Sequence, residues 1–340
     1  MTYNITIQAS GHTFTANENE FILDAALRQG VSLPYGCRTG SCGTCLGKVL
    51  SGEISYPDGL PLTVMEHEHK EGKAVFCVSV AKSDLVLDIK EVSSTNNIDI
   101  KILPAKVASL RKLSSDVMEM TLKLPESERL AFHAGQYIEI ILRDNSRRAF
   151  SIANSPSNDE VLELHIRHVE GGKFTDQVFN QMAEKTLLRF EGPFGDFYIR
   201  DNSNRPLILM AGGTGFAPIK AMLEQLIETG DTRPVSLYWG VRTKADLYRH
   251  DLAEKWAFQH QHINYIPVLS ENNDENWQGR TGFVHDAVLQ DMTNLSAYDV
   301  YMAGPPVMID ASVDAFTAQG LPKEQLFSDS FVFAEQKPKE

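Results

Sequence analysis

The chain has 340 residues and a formal net charge of −13, and its hydrophobic fraction of 42% is that of an ordinary globular protein. This length predicts roughly two or three domains, each with a core of its own. The negative charge argues against a nucleic-acid partner, because it would repel a phosphate backbone. The first residues, MTYNITIQAS, have no basic segment before an apolar core, and no uncharged apolar run is long enough to span a bilayer. We expect a cytoplasmic protein that binds no membrane and whose acidic surface suits a basic protein partner.

A β-hairpin and a short helix are predicted at the start of the chain. Residues 3–8 (YNITIQ) and 12–16 (HTFTA) alternate apolar and polar side chains, and the Ser-Gly pair between them is typical of a turn. Residues 21–30 (FILDAALRQG) then place apolar side chains at helical spacing and end on Gly30, a residue type that terminates helices.

The four cysteines of the chain indicate a metal centre. Three form a C-x4-C-x2-C cluster and the fourth stands apart; they are Cys37, Cys42, Cys45 and Cys77. This is the plant-type ferredoxin spacing, in which thiolates hold a [2Fe-2S] cluster. A zinc ribbon, which usually has two short-spaced pairs, and buried reduced thiols are the alternatives. Nearby glycines favour the cluster, because its loop brings N–H groups close to sulfide; they are Gly36, Gly40, Gly43 and Gly47. Cys77 is predicted as the fourth ligand, on a strand that returns to the loop.

Short strands predicted after residue 101 indicate a small antiparallel barrel. In residues 117–124 (VMEMTLKL), alternation places apolar side chains on one face and Glu119, Thr121 and Lys123 on the other. The strands that follow are predicted at residues 136–142 (QYIEIIL), 148–153 (RAFSIA) and 161–167 (VLELHIR).

Two segments of the barrel region carry motifs of interest. Arg148, Phe150 and Ser151 form an R-x-F-S pattern. It resembles the R-x-[YF]-S pattern of the ferredoxin reductase flavin domain. That resemblance implies a guanidinium for pyrophosphate oxygens, a ring to stack on the isoalloxazine and a hydroxyl near the reactive flavin nitrogen. Taken alone, the pattern favours the simpler interpretation of an exposed arginine beside a core phenylalanine. Residues 170–182 (EGGKFTDQVFNQM) then lead two glycines and a threonine into a helix whose N-terminal N–H groups suit a phosphate.

Strands and helices alternate after about residue 205, which predicts a doubly wound parallel sheet with its ligand at the carboxyl ends of the strands. The apolar run at residues 206–211 (PLILMA) is typical of a buried parallel strand. The next turn, residues 213–218 (GTGFAP), lacks the full Rossmann pattern. It follows a strand and opens a helix with Pro218 near its first turn, as a pyrophosphate-binding turn does.

These motifs together resemble the ferredoxin reductase family, in the three-domain form of the reductase components of bacterial multicomponent oxygenases. The resemblance implies a multidomain α+β and α/β protein. Its parts are a β-grasp plant-type ferredoxin domain at 1–92, a linker at 93–100, an antiparallel β-barrel FAD domain at 101–202, a doubly wound parallel-sheet NAD(P)H domain at 203–335, and a tail at 336–340. The ending FSDSFVFA is particularly similar to a reductase of deoxysugar biosynthesis with the same domain order.

The resemblance also implies roles for the positions that match family motifs. The FAD-binding residues are Arg148, Phe150, Ser151, Gly172, Lys173 and Thr175. The nicotinamide-binding residues are Gly213, Thr214, Gly215, Pro218, Arg242, Gly304 and Pro305. Ser151 is in addition the catalytic residue, since it positions the flavin nitrogen during hydride transfer. Phe331 or Phe333 covers the flavin face, although core packing explains either nearly as well.

Three observations refine the cofactor expectations. Phe150 replaces the commoner tyrosine, which removes a hydroxyl but keeps the stacking surface. Ala303 stands where many relatives have a cysteine beside the nicotinamide. Within residues 239–248, Arg242 and Lys244 are the only candidates to bind a 2′-phosphate, and Asp246 is nearby, so NADH is favoured over NADPH.

The implied function is an NADH-dependent reductase that passes electrons through FAD to the [2Fe-2S] cluster and on to a terminal oxygenase component or other protein acceptor. A flavin is needed because NADH gives a hydride whereas iron takes electrons singly. There are two alternatives. The acceptor is a deoxysugar dehydrase, or the protein is a redox sensor without sustained turnover. A monomer is expected, because no coiled-coil pattern is present.

Overall fold

A computed structural model describes residues 1–91, 98–272 and 274–331 of the chain. The chain divides into two compact units, Met1–Asn97 and Ile98–Glu340. Most of the predicted linker, the predicted tail at 336–340 and Phe333 lie outside the described residues. Within the described ranges, no helix has both the length and the apolar character needed to cross a membrane.

The first unit is a small mixed sheet with one helix packed on it. Its elements are β1 (Thr2–Ile7), β2 (Thr13–Asn17), α1 (Ile22–Arg28), β3 (Leu46–Ser51), β4 (Ile54–Ser55), α2 (Glu66–Lys70), β5 (Lys73–Val75), β6 (Val80–Ala81) and β7 (Leu85–Asp88). The five-stranded sheet has the order β2-β1-β7-β3-β5, with β1 and β7 parallel, and β4 pairs with β6. The predicted hairpin is confirmed by the antiparallel pairing of Ile5 with Phe14, and Leu23 of α1 is fully buried. This is the predicted β-grasp arrangement.

The second unit begins with the predicted barrel. Its elements are β8 (Lys101–Lys112), β9 (Val117–Lys123), β10 (Tyr137–Ile141), β11 (Arg147–Ser151), β12 (Val161–Arg167), α3 (Lys173–Asn180) and β13 (Leu187–Phe194). The six strands are all antiparallel in the order β11-β10-β13-β8-β9-β12. A bridge between Ile152 and Leu164 joins the end of β11 to β12 and closes the barrel.

The parallel sheet forms the rest of the second unit. Its elements are β14 (Leu207–Gly212), α4 (Phe216–Thr229), β15 (Val235–Val241), α5 (His250–Gln259), β16 (Ile263–Leu269), β17 (Arg280–Thr281), α6 (Val284–Asp291), β18 (Asp299–Gly304), α7 (Pro306–Ala318) and β19 (Leu326–Ser330). The strand order is β17-β16-β15-β14-β18-β19, and every pair is parallel. The order reverses between β14 and β18, which creates a switch point at their carboxyl ends.

One buried hydrophobic cluster spans the barrel and the parallel sheet. Val117, Ala134 and Phe197 of the barrel region belong to the same buried cluster as Phe216 and Trp239 of the parallel-sheet region. The two folds therefore pack as one body within the second unit, and residues on facing surfaces are buried between them.

One detail of the sequence prediction is wrong. Cys77 lies in a turn between β5 and β6 and not on a strand, because β5 ends at Val75. Glu119, predicted on the face of β9 opposite the apolar side chains, is only 7% exposed. Arg249 of the parallel-sheet region covers it and forms an ion pair with its carboxylate.

Candidate functional site

The cysteine loop between α1 and β3 directs backbone N–H groups at sulfur atoms. The N–H groups of Thr39 and Cys42 donate to Cys37 Sγ at 3.4 and 3.3 Å. The N–H group of Cys37 donates to Cys42 Sγ at 3.4 Å. Such donors stabilise thiolates, the form of cysteine that binds metals.

The four thiols approach one another as two pairs. Hydrogen bonding from Cys42 lowers the pKa of Cys37 to about 5, and hydrogen bonding from Cys77 lowers the pKa of Cys45. All four cysteines are free of disulfide bonds, and Cys45 and Cys77 are buried. Two pairs of thiols fit a centre with two irons, since each iron of a four-cysteine [2Fe-2S] cluster takes two thiolates.

Gly40 shows why the loop requires glycine. Its φ of +76° lies in the left-handed region, and a Cβ there would come within 2.8 Å of a Val78 methyl group. Its carbonyl accepts a hydrogen bond from Thr63 Oγ1 at 2.6 Å. The loop is therefore held by a later segment while its N–H groups remain directed at the cysteines.

The R-x-F-S motif lies on β11 as predicted. Arg148 pairs across the sheet with Ile140, and its Nη1 donates to the carbonyl of Arg147 at 2.7 Å. Phe150 packs against Phe174 of α3 with ring centroids 5.4 Å apart. Ser151 is the last residue of β11 and is half-buried. The strand and the helix of the two predicted flavin segments thus meet side by side.

The start of α3 has the features of an anion site. Gly172 is the N-terminal cap, so no side-chain oxygen caps the first turn. A Cβ at Gly172 would overlap Thr175 Oγ1, which bonds instead to the Val169 carbonyl at 2.9 Å. Lys173 reaches across to Asp144 in the loop between β10 and β11, with Nζ and Oδ2 2.7 Å apart. The glycine cradle fits an FAD pyrophosphate, and the adjacent cation, Lys173, is paired with Asp144 in this structure.

The glycine turns of the parallel sheet meet at the switch point. A Cβ at Gly215 would overlap the Ala303 carbonyl at the end of β18. Gly304 has φ +152°, and a Cβ there would lie 3.0 Å from Gly212 Cα. Only glycine permits this backbone approach. The turn at Gly213–Gly215 therefore sits beside Gly304, where a dinucleotide is expected in such sheets.

Neighbouring groups fix this pair of turns. The indole Nε1 of Trp239 donates to the Gly213 carbonyl at 3.0 Å. The backbone N–H of Phe331 donates to the Gly304 carbonyl at 2.8 Å, and the Phe331 side chain is half-buried. Thr214 is half-buried, whereas Pro305 is exposed at the start of α7. Pro218 is buried in the first turn of α4.

Arg242 lies after β15, in a segment with an acidic neighbour. Its side chain is 58% exposed, and its Nε lies 3.8 Å from Asp246 Oδ2. That carboxylate also accepts hydrogen bonds from the N–H and Oγ1 of Thr243, at 3.0 and 3.1 Å. The arrangement holds a negative charge beside Arg242.

Two residues near the site were not found from the sequence. Arg167 of β12 lies against the glycine turn, where a Cβ on Gly213 would be 3.2 Å from its Nη1. Lys220 of α4 is only 4% exposed and donates to the Ala153 carbonyl at 2.9 Å. A lysine within the buried stretch FAPIKAML, four residues before Glu224, was the available signal for Lys220.

Comparisons with known proteins identify each part of the chain. Residues 5–82 match the family model described as a 2Fe-2S iron-sulfur cluster binding domain. Residues 104–199 match an oxidoreductase FAD-binding domain, and residues 209–314 match an oxidoreductase NAD-binding domain. The chain is 40% identical to the CDP-6-deoxy-L-threo-D-glycero-4-hexulose-3-dehydrase reductase of Yersinia pestis, over 98% of this chain and 99% of the relative. The chain belongs to the ferredoxin reductase family.

Further comparisons agree with this membership. The reductase component of phenol 2-monooxygenase from Pseudomonas sp. CF600 is 35% identical over 98% of this chain and 96% of its own length. The crystal structure of the Amycolatopsis cytochrome P450 reductase GcoB matches with a TM-score of 0.83 and 32% identity, over 97% of this chain and 98% of that one.

This member of the ferredoxin reductase family is an NAD-dependent oxidoreductase with FAD and a [2Fe-2S] cluster. Electrons pass from the nicotinamide through FAD to the cluster and then to a protein acceptor. The match of the cysteine region to the cluster-binding model favours [2Fe-2S] over a zinc ribbon.

Proposed function

We propose that this reductase oxidises NADH at the switch point of the parallel sheet and delivers electrons from the cysteine loop to a partner enzyme. The observation that carries the proposal is the close approach of Gly215 to the Ala303 carbonyl. It brings the glycine turn to the carboxyl ends of β14 and β18, where doubly wound sheets bind dinucleotides. When bound, FAD accepts a hydride and releases single electrons, which the cluster carries one at a time.

The residues proposed to hold the cofactors are those that match family motifs, and the geometry of each segment supports them. Cys37 and Cys42 would bind one iron and Cys45 and Cys77 the other, as their pairing supports. The FAD residues would be those of β11 and the start of α3, namely Arg148, Phe150, Ser151, Gly172, Lys173 and Thr175. The nicotinamide residues would be Gly213, Thr214, Gly215, Pro218, Arg242, Gly304 and Pro305, with Phe331 beside them.

NADH is the proposed donor. Asp246 places a carboxylate beside Arg242, and a 2′-phosphate near that pair would meet a negative charge. Lys244, the other cation of the segment, lies 3.6 Å from the Asp274 carboxylate. Each cation therefore has a carboxylate beside it that would repel the 2′-phosphate of NADPH.

The proposed acceptor is a terminal oxygenase component, as the similarity to the reductase components of phenol 2-monooxygenase and terephthalate 1,2-dioxygenase supports. A deoxysugar dehydrase is a second candidate, because the identity to the Yersinia dehydrase reductase is higher, at 40%. We further propose that the reductase works as a monomer in the cytoplasm, where its four free cysteines would stay reduced.

Anaerobic titration with NADH tests the relay. We expect both the flavin and the cluster absorption to bleach, with about two irons and one FAD per chain. Steady turnover with cytochrome c would then distinguish a reductase from a redox sensor. An oxidised cluster beside a bleached flavin would exclude the exit path through the cysteine loop.

A further inference from the structure

Helix α4 carries a buried cation whose partners belong mainly to the barrel. Lys220 Nζ lies 2.9 Å from the Ala153 carbonyl oxygen, 3.2 Å from Glu163 Oε1 and 2.9 Å from Glu224 Oε1. Ala153 follows Ser151 by two positions, and Glu163 lies on β12. The helix that begins at the glycine turn is therefore joined directly to the chain segment that follows the flavin strand.

The charged Glu163 carboxylate and the neutral His165 ring suit the hydrogen bonds of this contact. Burial opposes ionisation of Glu163, but the hydrogen bond from His165 and the ammonium of Lys220 outweigh it and lower the Glu163 pKa to about 2. Burial lowers the pKa of His165, so its ring is neutral near pH 7. His165 Nε2 then donates to Glu163 Oε1 at 2.8 Å, and the carboxylate is charged and fully engaged.

The contact continues back to the glycine turn. His165 Nδ1 accepts a hydrogen bond from the Tyr248 hydroxyl at 3.0 Å, and burial raises the Tyr248 pKa so that the hydroxyl stays protonated. The Tyr248 ring packs edge-on against Trp239 with centroids 5.1 Å apart. Trp239 donates to the Gly213 carbonyl. A continuous chain of contacts through His165, Tyr248 and Trp239 therefore connects the barrel to the glycine turn.

A second contact anchors the far end of α4. The Glu228 carboxylate accepts hydrogen bonds from Ser155 and from Ser157, the latter at 2.6 Å. We call the contacts of Lys220 with Ala153 and Glu163, together with those of Glu228 with the two serines, the α4 clasp. Helix α4 is therefore held along its length by residues 153–157.

A metal ion does not explain this cluster of charges. Glu119, Glu163 and His165 bring ligand atoms within 4.8 Å of one another. However, Lys220 already pairs with Glu163, and Arg111 and Arg249 pair with Glu119. Cations of the chain itself therefore neutralise both carboxylates.

We propose that Lys220 is a positioning residue for hydride transfer, and this inference rests on the proposed function of the glycine turn and β11. Hydride transfer requires the nicotinamide ring and the isoalloxazine ring at near-contact distance. A displacement of about 1 Å between them can lower the rate about a hundredfold. A buried ion pair is weak evidence for a stabilising role, because desolvation offsets most of its attraction. The α4 clasp instead fixes the distance between the nicotinamide turn and the flavin strand.

Stopped-flow reduction of the holoprotein by NADH tests the role of Lys220. We expect Lys220→Met to lower the limiting rate of flavin bleaching by about ten- to a hundredfold, with the half-saturating NADH concentration unchanged. Lys220→Arg should recover part of the rate. Electron exit to cytochrome c after dithionite reduction should not change, because the cysteine loop is untouched.

Arg233→Met is the matched control. Its side chain is 14% exposed and pairs with Asp231 at 2.7 Å, within the parallel-sheet region. An equal loss of rate in this control, or a wild-type rate in Lys220→Met, would overturn the proposal. If Lys220→Met does not retain FAD, Glu228→Gln is tested in its place. A limiting rate of flavin bleaching a few-fold below wild type supports the role of the α4 clasp, and an unchanged rate rejects it. A wild-type protein that NADH cannot reduce would instead refute the proposed function itself.

Discussion

The two units of the chain build their sites in different ways. The first unit has the cysteine loop. The second unit has the flavin–nicotinamide region, which is formed by β11, the start of α3 and the ends of β14 and β18. Three of the four cysteines lie within residues 37–45, and local N–H groups donate to the sulfurs of Cys37 and Cys42. The flavin–nicotinamide region draws Ser151, Gly172, Gly215 and Gly304 from distant parts of the chain. The first site depends on covalent spacing, whereas the second depends on sheet topology and on how two folds pack.

Loss of one cysteine should have the largest effect and should stay confined to the first site. Cys77→Ser removes a proposed ligand, so we expect loss of cluster absorption and at least a hundredfold slower cytochrome c reduction, since even outer-shell changes at metal sites cost about ten- to a hundredfold. NADH should still bleach the flavin. Ser79→Ala is the control, because Ser79 is buried and its hydroxyl has no hydrogen-bond partner among the described residues. A cluster that survives in Cys77→Ser would refute the ligand assignment.

A methyl group at the switch point should damage the second site through packing. Gly215→Ala forces a Cβ onto the Ala303 carbonyl, and such overpacking typically costs about 1–3 kcal/mol. We expect a lower melting temperature and at least about tenfold slower flavin reduction by NADH, with the cluster intact. Gly230→Ala, at the other end of α4, has φ +71° and open space around it, so it should lose stability but keep its rate. Equal rates in the two variants would contradict the placement of the nicotinamide.

Substitution of two adjacent arginines distinguishes an effect on FAD binding from an effect on barrel stability. We expect Arg148→Ala to weaken FAD binding by roughly tenfold, the cost of one charge-assisted hydrogen bond. Arg147→Ala is the matched control, since Arg147 pairs instead with Glu139 and Glu191. FAD affinity is measured by fluorescence during reconstitution of the apoprotein. Equal affinities for both variants would remove Arg148 from the FAD site.

The smallest effect should appear in the choice of dinucleotide. Asp246→Asn removes the negative charge beside Arg242, so the ratio of kcat/KM for NADPH to that for NADH should rise by roughly fivefold, about 1 kcal/mol. Asp274→Asn removes the charge that pairs with Lys244 and leaves Asp246 beside Arg242, so it should leave the ratio closer to wild type. An unchanged ratio in Asp246→Asn would remove the electrostatic basis for preferring NADH.

Local patterns were sufficient for much of the fold. The hairpin of β1 and β2 followed from alternation around a Ser-Gly turn, and the fully buried strand β14 followed from a continuous apolar run. The strand predicted to hold Cys77 was wrong, because the apolar residues of AVFCVSV continue beyond the end of β5 into a turn. Periodicity marks which residues are buried but not where hydrogen-bonded pairing stops.

By itself the sequence determined the cysteine spacing, the glycines that permit close backbone approach and the order of the three folds, since these depend on neighbouring residues. Only the tertiary structure decided that Glu119 is covered by Arg249 and that Lys220 joins α4 to Ala153. Both contacts connect residues far apart in the chain, at 130 positions for the first and 67 for the second. A buried charge far from its partner in sequence leaves no periodic signal, because its burial depends on the surface that a later segment brings to it.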